Sequence, residues 1–342
     1  MKLLHTSDWH LGHSLYNFDR TAEQQAFLKQ LTEAVRTHRP DALLISGDVY
    51  HYSSPSASTQ RMYTDAILAI HDACPTMQII VTAGNHDSSS RLEIDSNLWK
   101  HFRVHVIGSI DRKDNQVLWE KHIIPLADES GKLTGYVIAV PHCYPQNFPA
   151  LHPDIPRDER QADFFHTLLE ETAKRNTTGV PVILMAHLAV AGSDITGHDD
   201  GIGGMDYLPI ETLGEGYDYL ALGHIHCPQT LRNTKQYARY SGSPLPVNFD
   251  ETYPHSMTCV ELSRHGDTPK LEIIPIDNPF PLVTLPKEPA PFETALKELQ
   301  TFPADNPAYI RLNVLLKDYL SPDCNDFVYF CTYKIIITQT VH

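Results

Sequence analysis

The stretch "YDYLALGHIH", residues 217–226, decides how this chain is read. Leu220, Ala221 and Leu222 follow one another without polar alternation, the pattern of a strand covered on both faces. The run breaks at Gly223 into His224 and His226, two imidazoles around one isoleucine. Four other apolar runs share this form: "KLLHTSDWH" from Lys2, "DALLISGDV" from Asp41, "QIIVTAGNHD" from Gln78 and "VPVILMAH" from Val180. Each breaks, often at a Gly, into Asp, Asn or His.

Helical periodicity fills the gaps between the early runs. In residues 21–38, Phe27, Leu31, Ala34 and Val35 recur at helical spacing, and Thr21 with Gln24 forms a capping-box pattern. Residues 57–73 place Met62, Ala66, Ile67 and Ile70 on one stripe. Residues 158–175 do the same with Phe164, Phe165, Leu168 and Leu169. Strands alternating with helices give an α/β domain, whose ligands bind beyond the carboxyl ends of the strands. The polar endings fall there.

The later segments "QYARYSGSP", "SMTCVELSRHG" and "PKLEIIPI" read as antiparallel strands. "DNPFPLVTLPKEPAPFE" carries five prolines and suits a linker, followed by a short helix at 293–301 and a strand at 308–316. The chain therefore divides at 277 into a catalytic-type domain, 1–277, and a linker with a partial second domain, 278–342. The last stretch, "FVYFCTYKIIITQTVH", reads as a truncated or frameshifted end, with a final edge strand as the alternative. Unpaired, so apolar a segment is an aggregation hazard.

Bulk properties exclude several classes. The 342 residues are 42% hydrophobic and 20% charged, a globular balance. No apolar run reaches the roughly 18 residues of a membrane helix. His5 and Asp8 come too early for a signal-peptide core, so a cytoplasmic location is expected. Six cysteines form no CxxC pair and are read as reduced thiols. The net charge of −15 argues against a broad electrostatic grip on DNA or an anionic membrane, leaving a local patch, a metal or a partner.

The run endings supply Asp8, His10, Asp48, Asn85, His86, Asp87, His187, His224 and His226. Singly, each is an ordinary turn, cap or core residue. Together they offer carboxylate, amide and imidazole donors, a mixture that suits two ions of the Mn, Fe or Zn class and is too nitrogen-rich for Ca or Mg. Two such ions share a bridging carboxylate, neutralise a phosphate and activate water.

The ordered set "DxH", "GD", "GNHD", "H" and "GHxH" resembles the calcineurin-like metallophosphoesterases. "LHTSDWHLGHSLY", "SGDVYHYSSPSA", "AGNHDS", "AHLAVAGS" and "SGSPLPVNFDE" resemble more closely the SbcD nuclease subunits of bacterial SbcCD complexes, over about residues 1 to 275. The resemblance implies a metallophosphoesterase αββα sandwich with a small α+β capping domain. It implies Asp8, His10 and His226 on one metal, Asn85, His187 and His224 on a second, and Asp48 bridging. By the same likeness His86 protonates the leaving oxygen or stabilises the transition state, Asp87 orients His86, and His51 approaches the phosphate. His13, His142 and His255 are left as ordinary histidines.

The resemblance further implies two divalent ions, Mn2+ foremost, and hydrolysis of DNA at duplex ends and hairpins. It also implies regulation by an SbcC-type ATPase partner and homodimerisation through helices of the N-terminal half. Two other functions stay open: a phosphodiesterase for cyclic nucleotides or other small esters, which the acidic charge favours, and a non-catalytic scaffold for the ATPase. Arg20, Arg61 and Arg91, near the ligand loops in sequence, are candidate DNA contacts, with solvated surface as the alternative for each.

Overall fold

The computed structural model describes residues 1–114, 116–128, 130–197, 207–231, 237–303, 305, 307–316 and 334–341. The five apolar runs become strands, and they divide between two six-stranded sheets. In the first sheet Lys2–Thr6, Ala42–Ser46, Gln78–Thr82 and Val104–Ile107 run parallel in that order. Ser256–Glu261 and Lys270–Pro275 extend it by antiparallel pairing beyond Lys2–Thr6. In the second sheet Leu133–Ala139, Val182–His187, Tyr219–Gly223 and Tyr237–Tyr240 run parallel, with Ile123–Ala127 and Gln229–Thr230 as antiparallel edges.

Side-chain parity explains why these strands show no polar alternation. Leu3, Leu44 and Ile80 of the first sheet meet Val137, Ile183, Met185 and Ala221 of the second in one buried layer. The intervening residues Leu4, Leu43, Ile45, Ile79 and Val81 point the other way, onto the helices Thr21–His38 and Ala57–Ala73. The second sheet turns its outer face, with Ile138, Leu184 and Leu222, onto Phe164, Phe165 and Leu168 of the helix Arg160–Arg175. Every central strand is thus buried on both faces, which requires apolar residues at consecutive positions. The layers are helix, sheet, sheet, helix, the αββα sandwich that the family resemblance implies.

Several details differ from that expectation. Thr21 and Gln24 do not form a capping box: the first helix has no side-chain cap bond, and Thr21 Oγ1 donates to Asp19. Gln24 accepts from the Gly12 amide and donates to the His10 and His13 carbonyls, so the side chain secures a loop rather than its own helix. Tyr237–Tyr240 is parallel to Tyr219–Gly223, not antiparallel, because the short strand Gln229–Thr230 reverses the chain before it. The antiparallel reading does hold for Ser256–Glu261 and Lys270–Pro275.

The proline-rich stretch read as a linker contains a nine-residue strand, Leu282–Ala290. It is an edge strand, parallel to Tyr309–Leu316, and the register slips between Leu285 and Ala290. Proline has no amide to donate to a ladder, so an interrupted edge strand accommodates it where a central strand would not. Lys334–Val341 is the other edge, paired along its length with Tyr309–Leu316. Residues 327–333 and 342 of the apolar terminal stretch lie outside the described residues. The helix Phe292–Thr301 covers this small sheet with Ala295 and Leu299 over Ile310, Leu312 and Val314. Four cysteines, Cys74, Cys143, Cys227 and Cys259, are free thiols, and Cys324 and Cys331 lie outside the described residues. Among the described residues no helix is long and apolar enough to cross a membrane.

One buried histidine couples this sandwich to pH. His5 lies fully buried between the sheets, its Nδ1 3.0 Å from the Tyr219 hydroxyl. Burial, assisted by the Arg239 guanidinium, lowers its pKa from 6.5 to about 3. Between those values the unfolded chain takes up a proton that the folded chain refuses, so stability falls as pH drops from about 6.5 towards 3. Urea unfolding of the metal-free protein at pH 7, 6 and 5 should show that decline. His5→Gln should make it shallower by up to about 1.4 kcal/mol per pH unit. Equal slopes for the two proteins would refute the neutral buried imidazole.

Candidate metal centre

The sandwich brings the polar strand ends to one rim. Asp8 and His10 follow Lys2–Thr6, Asp48 follows Ala42–Ser46, and Asn85 and His86 follow Gln78–Thr82, all in the first sheet. His187 ends Val182–His187, and His224 and His226 follow Tyr219–Gly223, both in the second. The site therefore spans the seam between the sheets, at the carboxyl ends of their parallel strands.

Backbone hydrogen bonds hold these loops together. The Asp8 amide donates to Gly47 O and the His10 amide to Asp48 O, each at 3.0 Å. The His86 amide donates to Asp48 Oδ1 at 2.9 Å, and the His224 amide donates to Asp8 Oδ1 at 3.0 Å. The conformations needed are unusual. Asp8, His10, Asp48 and His224 all have positive φ, at 53°, 44°, 50° and 100°. Such residues are uncommon and persist where the surroundings over-determine them, often at functional sites. Two glycines give the space. A Cβ on Gly84 would stand 2.1 Å from Asp48 Oδ1, and one on Gly47, whose φ is +87°, would stand 2.1 Å from His187 Nδ1.

The seven sequence-selected donors converge as two overlapping groups. Asp8, His10 and His226 bring one ligand atom each within 4.8 Å of one another. Asp8, Asp48 and His187 do the same. His10 Nε2 is 3.1 Å from His226 Nε2 and 3.8 Å from Asp48 Oδ2. His187 Nε2 is 3.4 Å from Asp48 Oδ2, and both His187 Nε2 and His224 Nδ1 are 3.0 Å from Asn85 Oδ1. Asp8 belongs to both groups, and Asp48, within 4 Å of His10 and of His187, lies between them.

The polarity of these contacts tests whether the residues fit a cation. His187 Nδ1 donates to Ser46 O at 2.9 Å, which turns the lone pair of Nε2 towards the oxygens of Asp48 and Asn85. His226 Nδ1 faces Glu251 Oε1 at 2.9 Å, which directs Nε2 at His10. Nitrogen and oxygen donor atoms thus face one another across about 3 Å, the spacing of neighbouring ligands around an ion bound at 2.0–2.2 Å. Only a cation or a proton reconciles them.

The protonation behaviour follows the same geometry. Burial alone would lower His187, but the Asp48 carboxylate facing it prevails and lifts it to about 9. Burial likewise opposes ionisation of Asp48, yet His187 and His10 keep its carboxyl well below the usual range. Burial raises Asp8 and lowers His10. His226 is raised, Glu251 outweighing burial.

The other candidates surround this cluster. His86 Nδ1 donates to the His51 carbonyl at 2.7 Å, and the two rings stack 5.3 Å apart at 27°. His51 Nδ1 is 3.4 Å from His10 Nδ1, and burial with His86 holds its pKa near 4. Asp87 does not orient the His86 ring, contrary to the sequence expectation. Its carboxylate accepts from the amides of Val49, Tyr50 and Gly84, because it bridges two ligand loops. Burial, with Asp48 nearby, raises it to about 6. Arg20 is not a surface contact for DNA: it is buried at 2% exposure, whereas Arg61 and Arg91 are exposed.

Three histidines read as ordinary stand close by. His13 packs on His51 with centroids 4.6 Å apart. His142 Nδ1 contacts the His187 carbonyl at 3.4 Å and, with Asn85, Tyr144 and His224, lines a cavity of about 120 Å³. His255 Nδ1 donates to Ser243 O. The sequence reading missed Glu251, buried at 6% exposure, although its segment "SGSPLPVNFDE" was singled out. A carboxylate 25 residues from the imidazole it orients leaves no local spacing signal.

Comparison with known proteins agrees with this geometry. The family model for calcineurin-like phosphoesterase matches residues 1–228. The SbcD subunit of the SbcCD nuclease from Rhodobacter capsulatus is 35% identical over 297 residues, covering 84% of this chain and 72% of that protein. The protein of the same name from Escherichia coli K12 is 27% identical over 94% of this chain and 79% of its own length. That from Bacillus subtilis is 30% identical over 83% and 71%. The match spans all seven converging donors up to His226, and the chain belongs to the calcineurin-like phosphoesterase family, in its SbcD branch.

Proposed function

We propose that this chain is a DNA nuclease that hydrolyses phosphodiester bonds at duplex ends and hairpins, with two Mn2+ ions and in complex with an SbcC-type ATPase. The observation that carries the reading is the convergence of Asp8, His10, Asp48, Asn85, His187, His224 and His226 at one rim, with Asp48 lying between His10 at 3.8 Å and His187 at 3.4 Å. The relatives' name, nuclease subunit of a two-part complex, supports the substrate and the partner. Asp8, His10 and His226 would hold one ion, Asn85, His187 and His224 the other, with Asp48 between. The ions supply charge neutralisation at phosphate and activation of water.

The chain's own residues do the rest. Ser46 O and Glu251 hold the rings of His187 and His226 by Nδ1, so that Nε2 of each faces the site, where an ion would displace the proton that Asp48 holds on His187. His86, oriented through Nδ1 by the His51 carbonyl, gives its proton to the leaving oxygen or hydrogen-bonds the developing charge. His51, held neutral near pH 7 by burial, contacts the phosphate as a hydrogen-bonding group rather than a cation. With a net charge of −15, the affinity for DNA resides in the metals and the partner rather than the overall field.

Incubation with Mn2+ and end-labelled duplex or hairpin DNA, alone and with the ATPase, should yield cleavage that a chelator abolishes. Faster turnover of a small nitrophenyl diester, with DNA left intact in both settings, would replace this reading by that of a small-ester phosphodiesterase. His86→Ala should lower turnover by about 10²–10⁴-fold, the range of a general acid, while Mn2+ content stays unchanged. Loss of metal along with turnover would make that loop structural. Glu251→Gln should weaken Mn2+ binding by at least about tenfold, as loss of an outer-shell partner does, measured by equilibrium dialysis.

A further inference from the structure

Arg20 is the largest fully buried side chain among the described residues, and it is not one of the seven donors. It immediately precedes the helix Thr21–His38. Its Nη1 donates to the Pro246 carbonyl and lies 3.4 Å from His13 Nδ1. Its Nε is 3.7 Å from Glu23 Oε1, a carboxylate with no exposed surface. The guanidinium stands 5.7 Å over the ring of Tyr309, whose hydroxyl donates to Glu23 and lies 3.3 Å from the Asp19 carbonyl.

Two arms lead from this cation to the centre. Pro246 begins the short segment that ends at Glu251, and Glu251 orients His226. Asp250 and Phe249 of that segment are engaged by Arg311, two residues beyond Tyr309, through an ion pair at 2.9 Å and a ring contact at 5.2 Å. His13, on the other arm, packs against His51, which neighbours His10 and His86. A buried guanidinium is destabilising unless its donors are matched, and Nη2 here has no hydrogen-bond partner among the described residues. An apolar side chain of the same volume would satisfy packing without that penalty, so packing alone does not account for Arg20.

We propose that Arg20, clamped by Glu23 and Tyr309, is a positioning residue of the metal centre, setting through Pro246 and His13 the loops that hold His226 and His51. The strand Tyr309–Leu316 thereby contributes to the centre without touching it. This rests on the reading of the seven donors as metal ligands, but its test reads metal binding and needs no DNA cleavage.

Mn2+ affinity of the full chain is measured by equilibrium dialysis beside thermal unfolding of the metal-free protein. Arg20→Met, which keeps length and loses charge, should bind Mn2+ about tenfold more weakly, at the lower edge of outer-shell effects. Tyr309→Phe, lacking one hydroxyl, should weaken it by a smaller factor and lower kcat on a nitrophenyl diester with KM unchanged. A merely structural role would lower the unfolding temperature and leave Mn2+ affinity alone; that result in folded Arg20→Met overturns the proposal. Should Arg20→Met fail to fold, Tyr309→Phe decides: weakened Mn2+ binding supports the clamp and unaltered binding overturns it. Absence of Mn2+ binding by the unaltered chain removes both the centre and the clamp.

Discussion

Lone pairs that face one another across about 3 Å repel unless positive charge stands between them, and the rim of this sandwich is built on that contact. His10 faces His226, His187 faces Asp48, and His187 and His224 both face Asn85 at about that spacing, and a proton on His187 answers Asp48 when no ion is bound. Four of the donors are anchored from behind. Ser46 O holds His187, Glu251 holds His226, and backbone amides hold Asp8 and Asp48. The folded chain has arranged the repulsion in advance, which is how a protein binds a cation strongly without reorganising.

That constraint reaches into the backbone. Four of the seven donors adopt positive φ although none is glycine, and Gly47 and Gly84 must lack a side chain for Asp48 and His187 to sit where they do. Each strained residue lowers stability, and the two helix-covered sheets supply the burial that offsets it. The rigid layers also explain why the loops stay in register: Gln24 and Asp87, both polar, spend their hydrogen bonds on loop backbone rather than on solvent.

The C-terminal sheet stands in a second relation to the site. Its own small core of Ile310, Leu312 and Val314 is separate from the sandwich, while Tyr309 reaches a different cluster with Leu15 and Phe249. Arg311 pairs with Asp250, next to the carboxylate that orients His226. The contact between the two parts therefore falls beside the metal centre, where small displacements bear directly on ligand geometry.

Local sequence marked five of the central strands but not Leu133–Ala139, three long helices, and nine polar strand-end residues, from which the family resemblance singled out the seven donors. Burial on both faces writes itself as an unbroken apolar run, and a strand end that must bear a ligand shows Asp, Asn or His where the run stops. The helices read at 57–73 and 158–175, found at 57–73 and 160–175, were equally plain, because one covered face leaves a 3.6-residue stripe. What required the fold was every relation between distant segments. Glu251 orients His226, Arg20 lies buried against Tyr309, and Gln24 serves a loop instead of a helix end. Asp87 binds backbone rather than His86, and a proline-rich stretch is an edge strand. Such polar pairings depend on which segments tertiary packing brings within about 3 Å, and no spacing along the chain encodes that distance.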